Sequence, residues 1–260
     1  MNGAETVSLR LGDVTIAPQR ALAVPGRSYC RRVVAVLLDL LLPQRCVACG
    51  LPGAQVCDIC LGALPRLRGP RCERCCAPTA WPARRCRECA GRRLAFARAR
   101  SAVAYDESVR RLVHAWKDRG LRRLCAAAAD VTAEALEHQG EPLSFVPPDP
   151  ERRRGRGHHP AEALARELGA RWNVPVLALL SRARGGARQR GLTLPERRAN
   201  VRGAFTAGRS PPAVVLVDDV YTTGATANAA ASALRRGGAR RVEVVTFARA
   251  VRGYTVTTQA

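Results

Sequence analysis

Lysine is almost missing from this 260-residue chain: among 43 basic residues, Lys117 is the single lysine and the rest are arginines. A Gly-rich phosphate loop ending in Lys-Ser or Lys-Thr is thereby excluded, because that lysine follows Trp116 and precedes Asp118. Long apolar runs are missing too. Val33 to Leu42 falls short of the ~20 residues that a bilayer span requires and carries Asp39, so no membrane insertion is expected. The first residues show no basic start, apolar middle and cleavage site in signal-peptide order, and a cytoplasmic protein is the expectation. Aromatic residues make up only 4% of the chain, which leaves few surfaces on which bases could stack.

Acidic residues are scarce as well, 21 against 43 basic ones, for a formal charge of +22. Such a surplus points toward nucleic acid or another polyanion. The near-exclusive use of arginine, with abundant Ala and Gly, is also the mark of a coding bias, in which many arginines only solvate the surface. Where arginine is the default, a retained lysine suggests that a compact ammonium is needed. Lys117 is therefore a candidate site residue, the alternative being a chance survivor.

What is abundant is cysteine. Cys46/Cys49, Cys57/Cys60, Cys72/Cys75 and Cys86/Cys89 form four Cys-x-x-Cys pairs in a stretch rich in Gly, Pro and Arg. Two residues between thiolates let both sulfurs face one tetrahedral ion, and two such knuckles complete a Cys₄ shell, so one or two structural Zn²⁺ ions are expected. Disulfides fit poorly with a chain lacking an export signal, and a redox pair normally occurs once, beside a βαβ pattern. Spacing leaves the pairing open: first with second and third with fourth, or crossed. With so few apolar residues, the metal would have to stand in for a core. Cys30, Cys76 and Cys125 read as bystanders.

The chain is organised around Val214-Val215-Leu216-Val217-Asp218-Asp219-Val220-Tyr221-Thr222-Thr223-Gly224-Ala225-Thr226. Four apolar residues, three of them β-branched, read as a strand buried on both faces, as in a parallel sheet covered by helices. The strand is expected to stop at the two acids. Small and hydroxylated residues follow, then an Ala-rich helix from Asn228 to Arg236 closed by Gly237-Gly238. The backbone amides of Thr223 to Thr226 at a helix N-terminus, with the threonine hydroxyls as further donors, suit a phosphate. Asp218 and Asp219 suit ribose hydroxyls and a Mg²⁺ with oxygen ligands. The bland alternatives are acids that only cap the next helix, or an ATP-site strand ending in paired acids, which lacks its Gly-rich loop.

Around this unit the pattern gives strands at Arg98 to Tyr105, Leu143 to Val146, Val174 to Leu180 (near an edge, because of Pro175) and Arg241 to Ala248. Helices are expected at Arg31 to Leu42, Glu107 to Lys117, Leu121 to His138 and Ala161 to Leu168. His114 and His138 read as packed or solvated. A basic loop with Arg154, Arg156 and Gly157 is a second prospective anion site, for pyrophosphate, or else a solvated charge run. The long polar segment Ser181 to Gly203, with Gln189, Arg190, Arg197, Asn200 and Arg202, is a lid candidate.

The thirteen-residue run resembles the signature of type I phosphoribosyltransferases, which bind phosphoribosyl pyrophosphate (PRPP). That resemblance implies ribose contacts at Asp218 and Asp219 and phosphate contacts along Val220, Tyr221, Thr222, Thr223, Gly224, Ala225 and Thr226. Tyr221 stands where an aliphatic residue is commoner. Taken with the cysteine knuckles, Lys117 within His114 to Gly120, the Arg154-to-Gly157 loop and the Gln189-to-Phe205 segment, the chain is similar to the ComF family. The resemblance implies an α/β domain with a parallel sheet of the type I phosphoribosyltransferase kind, preceded by a cysteine-rich double zinc ribbon. It also implies Zn²⁺, Mg²⁺ with PRPP, and a link to DNA uptake. The chain departs from the family pattern at His158-His159-Pro160, where an aromatic, an Asn or Asp and a Gln are usual, and at Val146-Pro147-Pro148.

The expected division is a tail at 1–28, a short helix and zinc ribbon at 29–92, a phosphoribosyltransferase-like domain at 93–250, and a tail at 251–260. The expected function is transfer of phosphoribosyl to an unknown acceptor with release of pyrophosphate. The alternative is a non-catalytic module or PRPP sensor that binds single-stranded nucleic acid, with Trp81 as a stacking platform.

Overall fold

In the computed structural model, the residues described are 44–121, 123–148, 159–182 and 203–251. The tail at 1–28, Cys30 and the helix at Arg31 to Leu42 lie outside them. So do Arg154, Arg156 and Gly157 of the basic loop, Gln189, Arg190, Arg197, Asn200 and Arg202 of the lid candidate, and residues 252–260.

After a short helix α1 (Asp58–Gly62) come β1 (Arg98–Ala104), α2 (Glu107–Asp118), α3 (Arg123–Ala135), β2 (Leu143–Phe145) and α4 (Pro160–Trp172). Then follow β3 (Leu180–Arg182), β4 (Phe205–Ala207), β5 (Ala213–Tyr221), α5 (Ala225–Arg236) and β6 (Arg241–Arg249). Four strands form a parallel sheet in the order β1-β6-β5-β2, while β3 and β4 make a separate antiparallel pair. The fold is thus α/β, as the buried apolar run required.

Val214 to Val217 are each at most 1% exposed, and burying such side chains is worth about 1.5–3 kcal/mol apiece. Val215 and Val217 face α2, α3 and α4 in one cluster; Val214 and Leu216 face α5 in the other. Local signals place the helices. Asp106 caps α2 by accepting from the Val109 amide at 2.8 Å, and Val109, Leu112, Val113 and Trp116 form its buried face. His159 caps α4 ahead of Pro160 at its first turn, and Asn173 ends it in the left-handed conformation.

Two expectations are corrected. β5 does not stop at the acids: its ladder with β6 continues through Val220 opposite Ala248 and Tyr221 opposite Arg249, because β6 offers a partner of equal length. The strand expected at Val174 to Leu180 is reduced to a bridge from Val176 to Leu143, since Pro175 has no amide to donate, and the chain turns away to form β3.

The cysteines form two groups, Cys46/Cys49/Cys57/Cys60 and Cys72/Cys75/Cys86/Cys89, with all sulfurs of a group within 4.8 Å of one another. Adjacent knuckles therefore pair. Sulfur separations of 3.4 Å for Cys75–Cys86, 3.5 Å for Cys72–Cys89 and 3.8 Å for Cys49–Cys57 compare with the ~3.8 Å edge of a tetrahedron whose zinc–sulfur bonds are about 2.3 Å. Both groups fit zinc. Burial pushes the Cys46 and Cys72 thiols up, but converging backbone amides win and bring them down to about 6 and about 7. Each group thus holds one thiol already prone to ionise, which favours metal capture. Cys76 and Cys125 are buried outside both groups.

The ribbons do not stand apart from the sheet. The described residues from Gln44 onward form one compact unit. Leu64, with half-buried Val47, Val56 and Leu61, packs into the α2–α4 cluster, whereas Cys72, Cys75, Ala77 and Cys89 pack into the α5 cluster. Between the two ribbons, Pro65 to Leu67 runs antiparallel along β1, with Leu67 N donating to Ala102 O at 2.9 Å and Ala104 N to Pro65 O at 2.8 Å. The metal region borrows the core that its own composition lacks.

Zinc released from the full chain by a thiol reagent should amount to two ions per chain. Cys75→Ser should leave about one and lower the melting temperature further than Cys49→Ser, because Cys75 is buried in the shared core and Cys49 is exposed. Equal losses of melting temperature would contradict the shared core.

Candidate functional site

The carboxyl ends of β5 and β6 carry the chemistry. Asp218 and Asp219 project to opposite faces of β5 and meet different surroundings. Asp219, 9% exposed, accepts a 2.7 Å hydrogen bond from Lys117 Nζ at the end of α2. The only lysine of the chain is thus in contact with the second acid. Its short, unforked ammonium fits where a guanidinium would demand two acceptors in one plane. Half-buried Asp218 makes no ion pair among the described residues: it accepts the Asp219 amide at 2.9 Å, and burial, reinforced by the Asp219 charge, pushes its carboxyl up to about 7 while Lys117 and Arg182 work the other way. Tyr105, at the end of β1, closes this side; burial pushes its hydroxyl up while Lys117 works the other way.

Beyond β5 the chain turns through Thr222 and Thr223 into α5. Gly224 occupies the N-cap in the left-handed conformation, φ +70°, and no side chain caps the helix. Of its first amides, that of Ala225 donates to Thr223 Oγ1 at 3.4 Å, and the next ones show no side-chain acceptor among the described residues. A cavity of ≈ 20 Å³ lies there, lined by Asp218, Val220, Tyr221, Thr222, Gly224, Ala225, Thr226, Ala227 and Thr246. The absence of a Cβ at Gly224 is required twice over. Besides the positive φ, an added Cβ would lie 2.1 Å from Tyr221 Oη.

Tyr221 does not reach outward. The residue is 3% exposed, its ring edge-on to Phe96 at 6.3 Å, with the Arg249 guanidinium 4.7 Å above it. Burial pushes its hydroxyl up to about 12. Arg249, the last residue of β6, is fully buried; its Nη2 donates to Glu88 Oε2 at 2.7 Å and lies 3.6 Å from Cys75 Sγ. A guanidinium against a four-thiolate zinc shell offsets part of that shell's net negative charge. The chain of contacts from Cys75 through Arg249 and Tyr221 to Gly224 therefore joins the second metal group to the turn.

The sequence reading missed Arg249 and Glu88. The available signal was an arginine directly after an apolar strand, hidden by the abundance of arginine elsewhere and by ending that strand at Ala248. Trp81 is 72% exposed in the second ribbon. His114 pairs with Asp118 at the surface, and His138 stacks on Trp172. Among the described residues, no helix is long and apolar enough to cross a membrane.

Comparisons with known proteins agree with this anatomy. Residues 37–90 match the model of the double zinc ribbon domain. The chain is 36% identical over 145 residues to competence protein F of Haemophilus influenzae, covering 52% of this chain and 62% of that one, so it spans about three-fifths of that relative's length. It is 30% identical over 223 residues to DNA utilization protein YhgH of Salmonella typhi, covering 79% of this chain and 96% of that one. Among solved structures, the B. subtilis glutamine PRPP amidotransferase is 22% identical, with a TM-score of 0.33 over 52% of this chain and 26% of its own. The protein TT1426 of Thermus thermophilus is 20% identical, with a TM-score of 0.30 over 52% of this chain and 85% of its own. With near full-length similarity to YhgH, a matching double zinc ribbon and a parallel α/β sheet behind it, the chain belongs to the ComF family, alongside competence protein F and the DNA utilization proteins.

Proposed function

We propose that the protein binds PRPP at the carboxyl end of β5 and transfers its phosphoribosyl group to an acceptor, releasing pyrophosphate. The observation that carries this reading is the pairing of unlike acids with a helix start whose side-chain partner among the described residues is only the 3.4 Å contact of Ala225 N with Thr223 Oγ1. Asp219 is held by Lys117, Asp218 is paired with no cation among the described residues, and the α5 amides stand a few residues further on. The acids accept from the ribose hydroxyls. The turn amides and the Thr222, Thr223 and Thr226 hydroxyls donate to the 5′-phosphate, which rests at the mouth of the small cavity, since ≈ 20 Å³ holds little more than a water-sized group.

In the transfer, the bond from the anomeric carbon to the pyrophosphate oxygen breaks with its electron pair leaving on pyrophosphate. The acceptor's nucleophile bonds that carbon, and the proton it sheds is taken up by the departing group. The protein's part is positioning and electrostatic stabilisation of developing charge. Mg²⁺ would be held with the ligand by Asp218, the acid that Lys117 does not neutralise, and would supply charge neutralisation. Lys117 holds Asp219 in place through the 2.7 Å contact. Arg154, Arg156 and Gly157 belong to the pyrophosphate side, and Gln189, Arg190, Arg197, Asn200 and Arg202 to a lid, in this reading.

The DNA utilization and competence names of the relatives support a role for this chain in handling DNA, with the charge of +22 as the physical basis for contact. Single-stranded DNA binding without transfer is the second reading. It would fade steeply with salt and be indifferent to Asp218 and Asp219.

Calorimetric titration with PRPP and Mg²⁺ should give saturable heat that Asp218→Asn/Asp219→Asn reduces at least about tenfold in affinity, the worth of one lost charge-assisted contact. Heat unchanged in that variant would reject the site. Lys117→Met should weaken binding less than the double change, by freeing Asp219 to repel the ligand's phosphates.

The carboxyl of Asp218 also makes a stability prediction. Its folded-state pKa is raised to about 7, so the folded protein keeps a proton there that the unfolded chain has lost. Stability is full below the ordinary carboxylate range and falls as pH rises through about 7, by an amount on the order of 2 kcal/mol after allowing for partial exposure. In urea unfolding of the ligand-free protein at about pH 5.5 and about pH 8, Asp218→Asn should gain on the wild type at the higher pH. An equal difference at both would exclude the shift.

A further inference from the structure

Tyr221 ends β5 with a hydroxyl that the fold does not use. The residue is 3% exposed, yet Oη has no hydrogen-bond partner among the described residues. A buried hydroxyl without a partner destabilises the fold by the cost of its lost hydration. Phenylalanine would avoid that cost. Its ring would keep the edge-on contact with Phe96 at 6.3 Å and would still face the Arg249 guanidinium at 4.7 Å, since a cation over a ring needs no phenol. Packing therefore accounts for the ring and leaves the oxygen unexplained.

The position of that oxygen is specific. Oη lies against Gly224, the N-cap of the 12-residue helix α5, where an added Cβ would collide with it. Tyr221 and Gly224 both line the ≈ 20 Å³ cavity at this helix start, together with Asp218, Thr222, Ala225 and Thr226. Such a volume admits one water-sized group. Thr246 lines it too, but its hydroxyl is already paired with Ser101 Oγ at 2.6 Å. A phenol is protonated at neutral pH and meets an anion as a donor.

Two other hydroxyls are buried without a partner among the described residues, Ser144 Oγ in β2 and Thr79 Oγ1 in the second ribbon. Neither residue lines this cavity. Their oxygens sit one bond from Cβ, where short hydroxyl side chains can turn toward local backbone. That of Tyr221 is carried at the far end of a rigid ring, and the contacts of the ring fix where it points.

We propose that Tyr221 is a ligand-binding residue whose hydroxyl donates, through the single water that the cavity admits, to a phosphate seated at the start of α5. This phenol adds a donor to the turn amides and threonine hydroxyls named above. That the phosphate is the 5′-phosphate of PRPP rests on the transferase reading; that the hydroxyl serves a phosphate rests on its burial, its lack of a partner and the helix start beside it. The ligand supplies the acceptor that folding does not. The same hydroxyl thus costs stability and adds affinity, two effects of opposite sign that a structural role does not give.

The test compares the full zinc-loaded chain with its Tyr221→Phe variant, by calorimetry with ribose 5-phosphate and with PRPP and Mg²⁺, and by thermal unfolding without ligand. The variant should bind both ligands about tenfold more weakly, and by the same factor, because they share the sugar and its phosphate. Its ligand-free melting temperature should rise by about 2–4 °C. In wild-type protein labelled at the tyrosine ζ-carbons, ribose 5-phosphate should shift the resonance that the variant lacks.

Unchanged affinity in the variant would overturn the proposal. So would a melting temperature that fails to rise, because the hydroxyl would then have a partner within the fold. A loss confined to PRPP would overturn it as well, by placing the hydroxyl at the pyrophosphate end. Tyr221-dependent binding of ribose 5-phosphate in a protein that takes no PRPP would uphold the role of the hydroxyl and reject the transferase reading. If the wild type binds neither ligand, both fall.

Discussion

The buried guanidinium of Arg249 is the constraint on which the arrangement of the site depends. An arginine with no exposure has to be surrounded by negative charge and acceptors, or its desolvation would be prohibitive. Here the neighbours come from three places: Glu88 and Cys75 from the two knuckles of the second ribbon and the face of Tyr221 from the end of β5. Nε and Nη1 have no acceptor among the described residues, so the existing partners cannot be lost cheaply. Ribbon, sheet and turn are fixed in mutual register by the need to shelter one cation.

The two acids on β5 show how a single strand end can present unlike groups. Alternation sends adjacent side chains to opposite faces, and the helix packed on one face brings Lys117 while the other face brings no such partner among the described residues. Asp219 is thereby paired with a cation, and Asp218 is a carboxyl with no ion pair among the described residues. The difference arises from layer packing and needs no difference in residue type. A sequence of two identical letters thus encodes two electrostatic states.

Much of this was legible beforehand, for identifiable reasons. The apolar run Val214 to Val217 announces a doubly covered strand, because only burial on both faces tolerates it. The cysteine spacing announces tetrahedral metal groups, although the choice between adjacent and crossed knuckles waited on the backbone. Lys117 stood out against the arginine background, and its partner proved to be Asp219. What spacing could not show was tertiary: the continuation of β5 past its acids depends on the length of β6, and the shortened edge at Val174 to Leu180 depends on Pro175 facing β2. Arg249 was lost in a crowd of arginines, since composition conceals the one whose surroundings matter.

The run from Pro65 to Leu67 lies along the outer margin of the sheet, where β1 would otherwise offer a row of unused amides and carbonyls. That run hangs between the two cysteine groups, so the thiolate shells also hold a selvedge in place. A chain deprived of its ions would fray at that margin and recruit another copy's strand to mend it.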